Sequence, residues 1–416
     1  VTRYDYERAV KLPEDFVQEF ALAKSKAFES WMKAREAADF SLFRDDLTRI
    51  VELNRKKADY LGYEGSPYDA LLDAYERGMT AEELRDLFGR LGPAQSAIVE
   101  EITASPNQPD CGFLKQEWPE EGQWQMSVRV LSDMGYDFDA GRQDKSPHPF
   151  STSFGLKDVR VTTRFSSEEL FAGLMGSIHE GGHALYGQGH DPADARTPLA
   201  EGASLGIHES QSRMWENIIG RSRPFWRRYL PAMREAFPGR LDDVSAEQLY
   251  RAATRVQPSF IRVEADECTY NLHIIIRFEI EVELVEGRLG VSDVPEAWNS
   301  RVKQYLGLDV PNDALGCLQD IHWSHGSMGY FPTYALGNLY AAQLFEALER
   351  DLPEVWDRVG EGSFASIVDW LREKVHRHGR RKLPREIIHD ATGSAPDSQP
   401  YIRYLESKYG EAYGIR

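Results

Sequence analysis

The chain has 416 residues, a formal net charge of −18 and a pI near 5.2. That balance disfavours nucleic acid and anionic membrane as partners, since both need a basic face, and no apolar run approaches the roughly 18 residues of a membrane span. Cys111, Cys268 and Cys317 are sparse and form no C-x-x-C pair, which argues against a thiolate metal site and for a reducing compartment. The opening Val1-Thr2-Arg3-Tyr4-Asp5-Tyr6 has no apolar export signal, so the cytoplasm is expected; with Val rather than Met first, some sequence is expected ahead of it.

Residues 14–38 read as a helix, with Phe16, Phe20, Ala23, Ala27 and Trp31 in helical period. Residues 41–60 continue in that style until Gly62-Tyr63-Glu64-Gly65-Ser66-Pro67 breaks it. Thr80 with Glu83 forms a capping box ahead of Leu84, Leu87, Phe88 and Leu91. Gly92-Pro93 is expected to end or kink that helix, with helical pattern resuming to about residue 103. Residues 122–134 are helical. Asp158 to Phe165 alternates as a short strand, whose edge suits pairing with an extended peptide. Further helices are expected over 245–256 and 266–286. Residues 311–334 are unusually dense in Gly, His, Trp and Tyr, and the last eighty residues are amphipathic helix. Length alone allows one large helical domain or two or three smaller ones. No repeat or linker marks a boundary, so one domain over 1–416 is expected.

The most informative stretch is Ser177-Ile178-His179-Glu180-Gly181-Gly182-His183-Ala184. In a helix, His179 and His183 lie one turn apart on one face and can offer two imidazoles to one metal ion. Glu180 sits beside the ion, where it can take a proton from a metal-bound water. Ser166 is expected to cap this helix with Glu169 three residues on, followed by an apolar stripe of Leu170, Leu174 and Ile178. Two adjacent glycines inside a helix cost about 1 kcal/mol each relative to Ala, so close backbone approach is expected there. A catalytic zinc site wants a third protein ligand, in one enzyme class a Glu on the next helix. By spacing Glu209 fits, with Glu201 and Glu216 as rivals. The developing oxyanion needs further donors, for which His148, His322, Tyr330 and Tyr334 are candidates.

Other motifs stand in order around this one: His148-Pro149-Phe150, Asp158-x-Arg160-x-Thr162, His208-Glu209-Ser210, Ile261-Arg262-x-x-Ala265-Asp266 and Gly316-x-x-Gln319-Asp320-x-His322-Trp323, then Gly329 to Tyr334. Together they resemble the thermostable, Taq-type carboxypeptidase family of zinc metallopeptidases. The resemblance implies a mainly α, saddle-like single domain with a deep groove and a small β element beside the metal helix, related to the peptidyl-dipeptidase and thimet-type peptidases. It implies a homodimer, one Zn²⁺ per chain (Co²⁺ or Mn²⁺ suit the same ligands), and removal of single C-terminal residues from peptides with broad specificity. It assigns His179, His183 and Glu209 to the metal and Glu180 as the base. Arg262 becomes the anchor for the terminal carboxylate, which suits a guanidinium fork. His148, Arg160 and Gln319 fall to substrate binding, with Asp158 to Thr162 as the cleft-edge strand. His322, Tyr334 and Tyr330 fall to oxyanion and leaving-group contacts. Relatives usually carry a further helical stretch ahead of this start, and an Asp four residues after the Glu ligand where Arg213 stands here. An ion pair with Glu264 or Asp266 is the structural alternative for Arg262. An endopeptidase or dipeptide-removing enzyme, and a peptide binder without turnover, are the competing functions.

Overall fold

The computed structural model describes residues 1–415. It is mainly helical with one small sheet, and the long periodic stretches form helices near their expected bounds: Glu14–Ala37, Ser41–Leu61, Ala81–Ala104, Glu120–Asp133, Ala246–Ala253 and Glu267–Glu286. Thr80 and Glu83 cap each other as expected, at 3.2 and 3.0 Å. The Ala81–Ala104 helix, however, runs on through Pro93. Leu84, Leu87, Phe88 and Leu91 before the proline and Ile98, Val99 and Ile102 after it are all buried, and that packing outweighs one missing hydrogen bond. No helix among the described residues is long and apolar enough to cross a membrane.

The chain falls into two compact units, each built from two separated stretches. One holds Val1–Ala104 and Val256–Ala335; the other holds Ser105–Arg255 and residues 336–415. The last boundary lies inside the Pro332–Asp351 helix, so no Gly- or Pro-rich linker marks it in the sequence.

The first unit is organised around Glu267–Glu286. Asp266 caps this helix by accepting from the Cys268 and Thr269 N–H groups at 3.0 Å each. Its apolar residues face all round, as a central helix requires, and Phe278 meets both Tyr68 and Phe88 edge-on. Asn271, His273, Arg277 and Glu281 are buried on the same helix. The Glu14–Ala37 helix adds Trp31, whose indole donates to the Leu318 carbonyl at 2.9 Å and ties down the irregular 311–334 segment.

In the second unit, strands β1 (Gln143–Lys145), β2 (Phe150–Gly155) and β3 (Asp158–Thr163) form a sheet in the order β1-β3-β2. β3 is therefore the middle strand rather than an edge: it pairs parallel with β1 and antiparallel with β2. The carbonyl of Val159, beyond the reach of β1, is taken by the Tyr136 hydroxyl at 2.6 Å. The exposed outer strand is β2. Val159, Val161 and Thr163 alternate inward, and Thr163 Oγ1 donates to the Gly173 carbonyl of the Leu170–Gln188 helix at 3.1 Å. That helix starts at Leu170, four residues later than the Ser166 cap expected, and has no side-chain cap. The Ser166 carbonyl accepts from Gln123 and the Ser167 carbonyl from Trp118, which holds this stretch in a turn that cannot join the helix.

The paired glycines do mark close approach. A Cβ on Gly182 would lie 2.7 Å from Gln211 O and from Ser212 Cα, main-chain atoms of the Leu205–Arg213 helix. Gly182→Ala is expected to lower unfolding free energy by about 1–3 kcal/mol through overpacking. Gly89→Ala, at an open helical position, should instead raise it by up to about 1 kcal/mol. Denaturant unfolding of both variants checks the two signs.

Candidate metal centre

His179 and His183 stand one turn apart on the Leu170–Gln188 helix, their ring centroids 4.8 Å apart. Glu209 comes from the Leu205–Arg213 helix, which Ser204 caps by accepting the Ile207 N–H at 3.0 Å. Glu209 Oε2 lies 3.8 Å from His179 Nε2 and 3.5 Å from His183 Nε2, and the three ligating atoms fall within 4.8 Å of one another. Tetrahedral bonds of about 2.1 Å separate ligand atoms by about 3.4 Å, so two imidazoles and a carboxylate fit a single ion here. No other such group occurs among the described residues. A third element closes on the site: a Cβ at Gly337, in the Pro332–Asp351 helix, would meet Glu209 Cγ at 2.4 Å. Glu180 is buried beside His179, and no hydrogen bond holds its carboxylate among the described residues.

A second layer of charge surrounds the three. Arg213 Nε donates to Glu209 Oε1 at 2.7 Å, and its Nη1 to Glu216 Oε2 at 3.3 Å. His179 Nδ1 is 2.9 Å from Glu216 Oε2, and Arg221 Nη2 donates to Glu216 Oε1 at 3.1 Å. Glu216 reaches this position from a π-helical turn, Met214–Ile219. Burial opposes charge on both carboxylates. Arg213 and His179 nevertheless hold Glu209 well below the usual carboxylate range, and His179, Arg213 and Arg221 do the same for Glu216. Burial also opposes charge on His179, but Glu209 and Glu216 outweigh it and raise its pKa. His183 Nδ1 meets His208 Nδ1 at 2.6 Å, and burial followed by His183 pushes the His208 pKa well below its ordinary value.

Of the rival ligands, Glu201 is exposed and paired with Arg380 at 3.1 Å. Glu216 is the partner that turns His179, the task expected of an acidic residue four positions after Glu209, where Arg213 stands. Its signal was in the sequence as Glu209-Arg213-Glu216, at i, i+4 and i+7 on one helix face. His208 and Gly337 left no comparable signal. His148 is exposed in the turn between β1 and β2, and Arg160 on β3 pairs with Asp158 at 2.7 and 2.8 Å.

The other sequence candidates belong to the first unit. Arg262 is buried, but its partner is neither Glu264 nor Asp266. Nε and Nη2 both donate to Asp320 Oδ1, at 3.1 and 2.8 Å, and Nη1 to the Tyr270 hydroxyl at 2.9 Å. The sequence-near acids are unavailable because Asp266 is turned into the cap of the next helix. Arg277 takes the other Asp320 oxygen at 2.6 Å. Gln319 accepts the Arg262 N–H at 2.8 Å and donates to the Phe260 carbonyl at 2.9 Å, so it fixes the main chain at Arg262. The Tyr334 ring lies 5.0 Å from the Arg262 guanidinium, and its hydroxyl is 3.5 Å from His322 Nε2. His322 also packs on Phe331 and Tyr330. Burial pushes the His322 pKa down to about 4, so its imidazole is neutral at pH 7.

The family model for Carboxypeptidase Taq (M32) metallopeptidases matches residues 1–409. The chain belongs to this family. Members of the M32 family are metallocarboxypeptidases, so the protein is a peptide hydrolase that depends on a divalent metal ion. It is 46% identical to carboxypeptidase 1 of Bacillus subtilis over 413 residues, covering 99% of this chain and 82% of that one. It is 44% identical to thermostable carboxypeptidase 1 of Thermus thermophilus, with the same coverage. The M32 carboxypeptidase of Deinococcus radiodurans superposes with a TM-score of 0.97 at 42% identity, over 99% of this chain and 83% of that one. The Apo-Mg structure of Pyrococcus furiosus carboxypeptidase gives 0.93 at 38%, over 97% and 82%.

Removing the partner of a ligating His typically costs 10–100-fold in metal affinity. Glu216→Gln is expected to weaken divalent-ion binding by about that factor, read by competition against a chromophoric chelator. Gly337→Ala, which displaces the Glu209 side chain, should act in the same direction.

Proposed function

We propose that this M32 enzyme is a zinc-dependent carboxypeptidase that releases single residues from peptide C-termini with broad specificity. It works as one catalytic domain over 1–416 in a cytoplasmic homodimer. The observation that carries the reading is the convergence of His179, His183 and Glu209 with Glu180 alongside. Two nitrogens and one carboxylate oxygen are a preferred zinc set, one ion per chain, although cobalt and manganese suit it too. Bound there, a divalent ion supplies Lewis acidity, lowering the pKa of water and polarising a carbonyl.

The remaining steps fall to the chain itself. Glu180 takes a proton from the attacking water and returns it to the leaving amine. Glu209 stays ionised because Arg213 holds it so, and Glu216 fixes the tautomer of His179 by accepting a hydrogen bond from its Nδ1–H. Arg262 receives the terminal carboxylate. Arg262 gives three of its five N–H groups to Asp320 and Tyr270, which leaves two for a second anion. Neutral His322 and the hydroxyls of Tyr334 and Tyr330 donate to the oxyanion and the leaving group. His148 and Arg160 contact the substrate main chain, and Gln319 contributes by holding Arg262.

Mass spectrometry of a mixed peptide pool tests the reading. Stepwise loss of single C-terminal residues, stopped by a strong chelator and restored by zinc, is the expected result; internal cuts or loss of dipeptides would overturn it. Glu180→Gln should lower kcat by about 10²–10⁴-fold with metal content retained. Arg262→Ala, which removes a charged partner worth about 2–5 kcal/mol, should lower kcat/KM on free C-termini by about 100-fold or more. Equal activity of wild type and Arg262→Ala would assign the anchor elsewhere.

A further inference from the structure

Glu281 lies in the Glu267–Glu286 helix, fully buried, and takes no part in the steps above. A buried carboxylate is costly unless hydrogen-bonded, and this one has three donors from two separate segments. Oε1 accepts the Trp323 indole N–H at 2.9 Å. Oε2 accepts the Tyr68 hydroxyl at 2.7 Å and the Gly329 N–H at 3.0 Å.

Two of these donors adjoin the residues that handle the substrate. Trp323 follows His322, and Gly329 precedes Tyr330, with Tyr334 on the next helical turn. One carboxylate thus ties both ends of the segment that carries His322, Tyr330 and Tyr334. The tie at Gly329 cannot slide. Its φ is +94°, and a Cβ there would meet the Leu72 N at 2.8 Å, so the main chain is pressed against the short Pro67–Leu72 helix that also carries Tyr68. One turn earlier on the Glu281 helix, Arg277 holds Asp320 and so the clamp on Arg262.

We propose that Glu281 is a positioning residue for peptide hydrolysis, setting the placement of His322 against Tyr330 and Tyr334 and thereby acting on kcat. This rests on the reading that those three residues contact the substrate. All three neighbours act as donors, so the ionised carboxylate fits them. The other titratable groups facing it are Tyr75 and Arg277. Burial pushes the Glu281 pKa up to about 7, against the pull of Gly329, Tyr68 and Trp323.

Steady-state kinetics of the metal-loaded enzyme on a peptide with a free C-terminus tests this, with His322→Ala and Tyr334→Phe as references. Glu281→Gln should lower kcat by about tenfold or more, with KM within about twofold and metal content unchanged, because a misplacement of about 1 Å can cost as much as 100-fold. In the Glu281→Gln/His322→Ala double variant the two losses should combine to less than their product, since the first acts through the second. Wild-type kcat in Glu281→Gln beside impaired His322→Ala or Tyr334→Phe would overturn the proposal alone. Wild-type kcat in both reference variants would overturn the reading beneath it, and the proposal with it. Should Glu281→Gln fail to fold, Trp323→Phe removes one donor and leaves the carboxylate two; a wild-type kcat there would count against the proposal in the same way.

Discussion

The structure depends on keeping carboxylates ionised where water is scarce. Glu209 and Glu216 are each largely removed from solvent, and an isolated charge there would shed its ionisation rather than bear the desolvation. They keep it because charges alternate along one stretch of chain: Glu209, Arg213, Glu216, Arg221. The first three share a helix face by spacing alone. The widened turn over Met214–Ile219 then lets Glu216 meet His179 on one side and Arg221 on the other. The arrangement does two things at once. It keeps a carboxylate oxygen negative beside two imidazoles, and it orients one of those imidazoles.

The same constraint recurs in the other unit with the signs exchanged. There the buried charges are Arg262 and Arg277, sharing the carboxylate of Asp320. Removing Asp320 would leave two guanidiniums without their carboxylate in a largely buried place. Arg277 and Glu281, four residues apart on one helix, act on different parts of that unit. Arg277 reaches the Arg262 clamp, and Glu281 reaches the aromatic segment with His322. Buried charges inside a helix are costly, and the hydrogen bonds that Arg277 and Glu281 make to separate partners favour one orientation of that helix about its axis.

Packing at close range completes both arrangements. Gly182 lets the Leu205–Arg213 helix lie against the helix of the two histidines, and Gly337 lets a third helix pass over the Glu209 side chain. A methyl group on Gly182 would fall within 3 Å of main-chain atoms of the facing helix, and one on Gly337 within 3 Å of the Glu209 side chain, which it would push aside. The geometry of the ligands is thus set by backbone approach as much as by the ligating side chains, and the three-stranded sheet buttresses the same helix through Val159, Val161 and Thr163.

The sequence by itself determined the helices and the chemistry. Helical period and Thr80 with Glu83 are local signals, and local signals survive in any tertiary context that does not oppose them. The H-E-x-x-H spacing is local in the same sense, since residues four apart meet on any helix. Spacing left Glu201, Glu209 and Glu216 as competing third ligands, because the distance between two helices is not written in either of them. Tertiary structure brings Glu209 within reach of both histidines, where Gly182 lets its helix approach, and sets Glu216 against His179 Nδ1. It also delayed the metal helix to Leu170, where Trp118 and Gln123 hold the Ser166-Ser167 carbonyls, carried a helix through Pro93, and put β3 between two partners. The partner of Arg262 proved to be Asp320, fifty-eight residues away, because the nearby Asp266 was already committed to a helix cap. In each case a hydrogen bond or a packed surface supplied from far along the chain outweighed a preference of less than a few kcal/mol that the local sequence expressed.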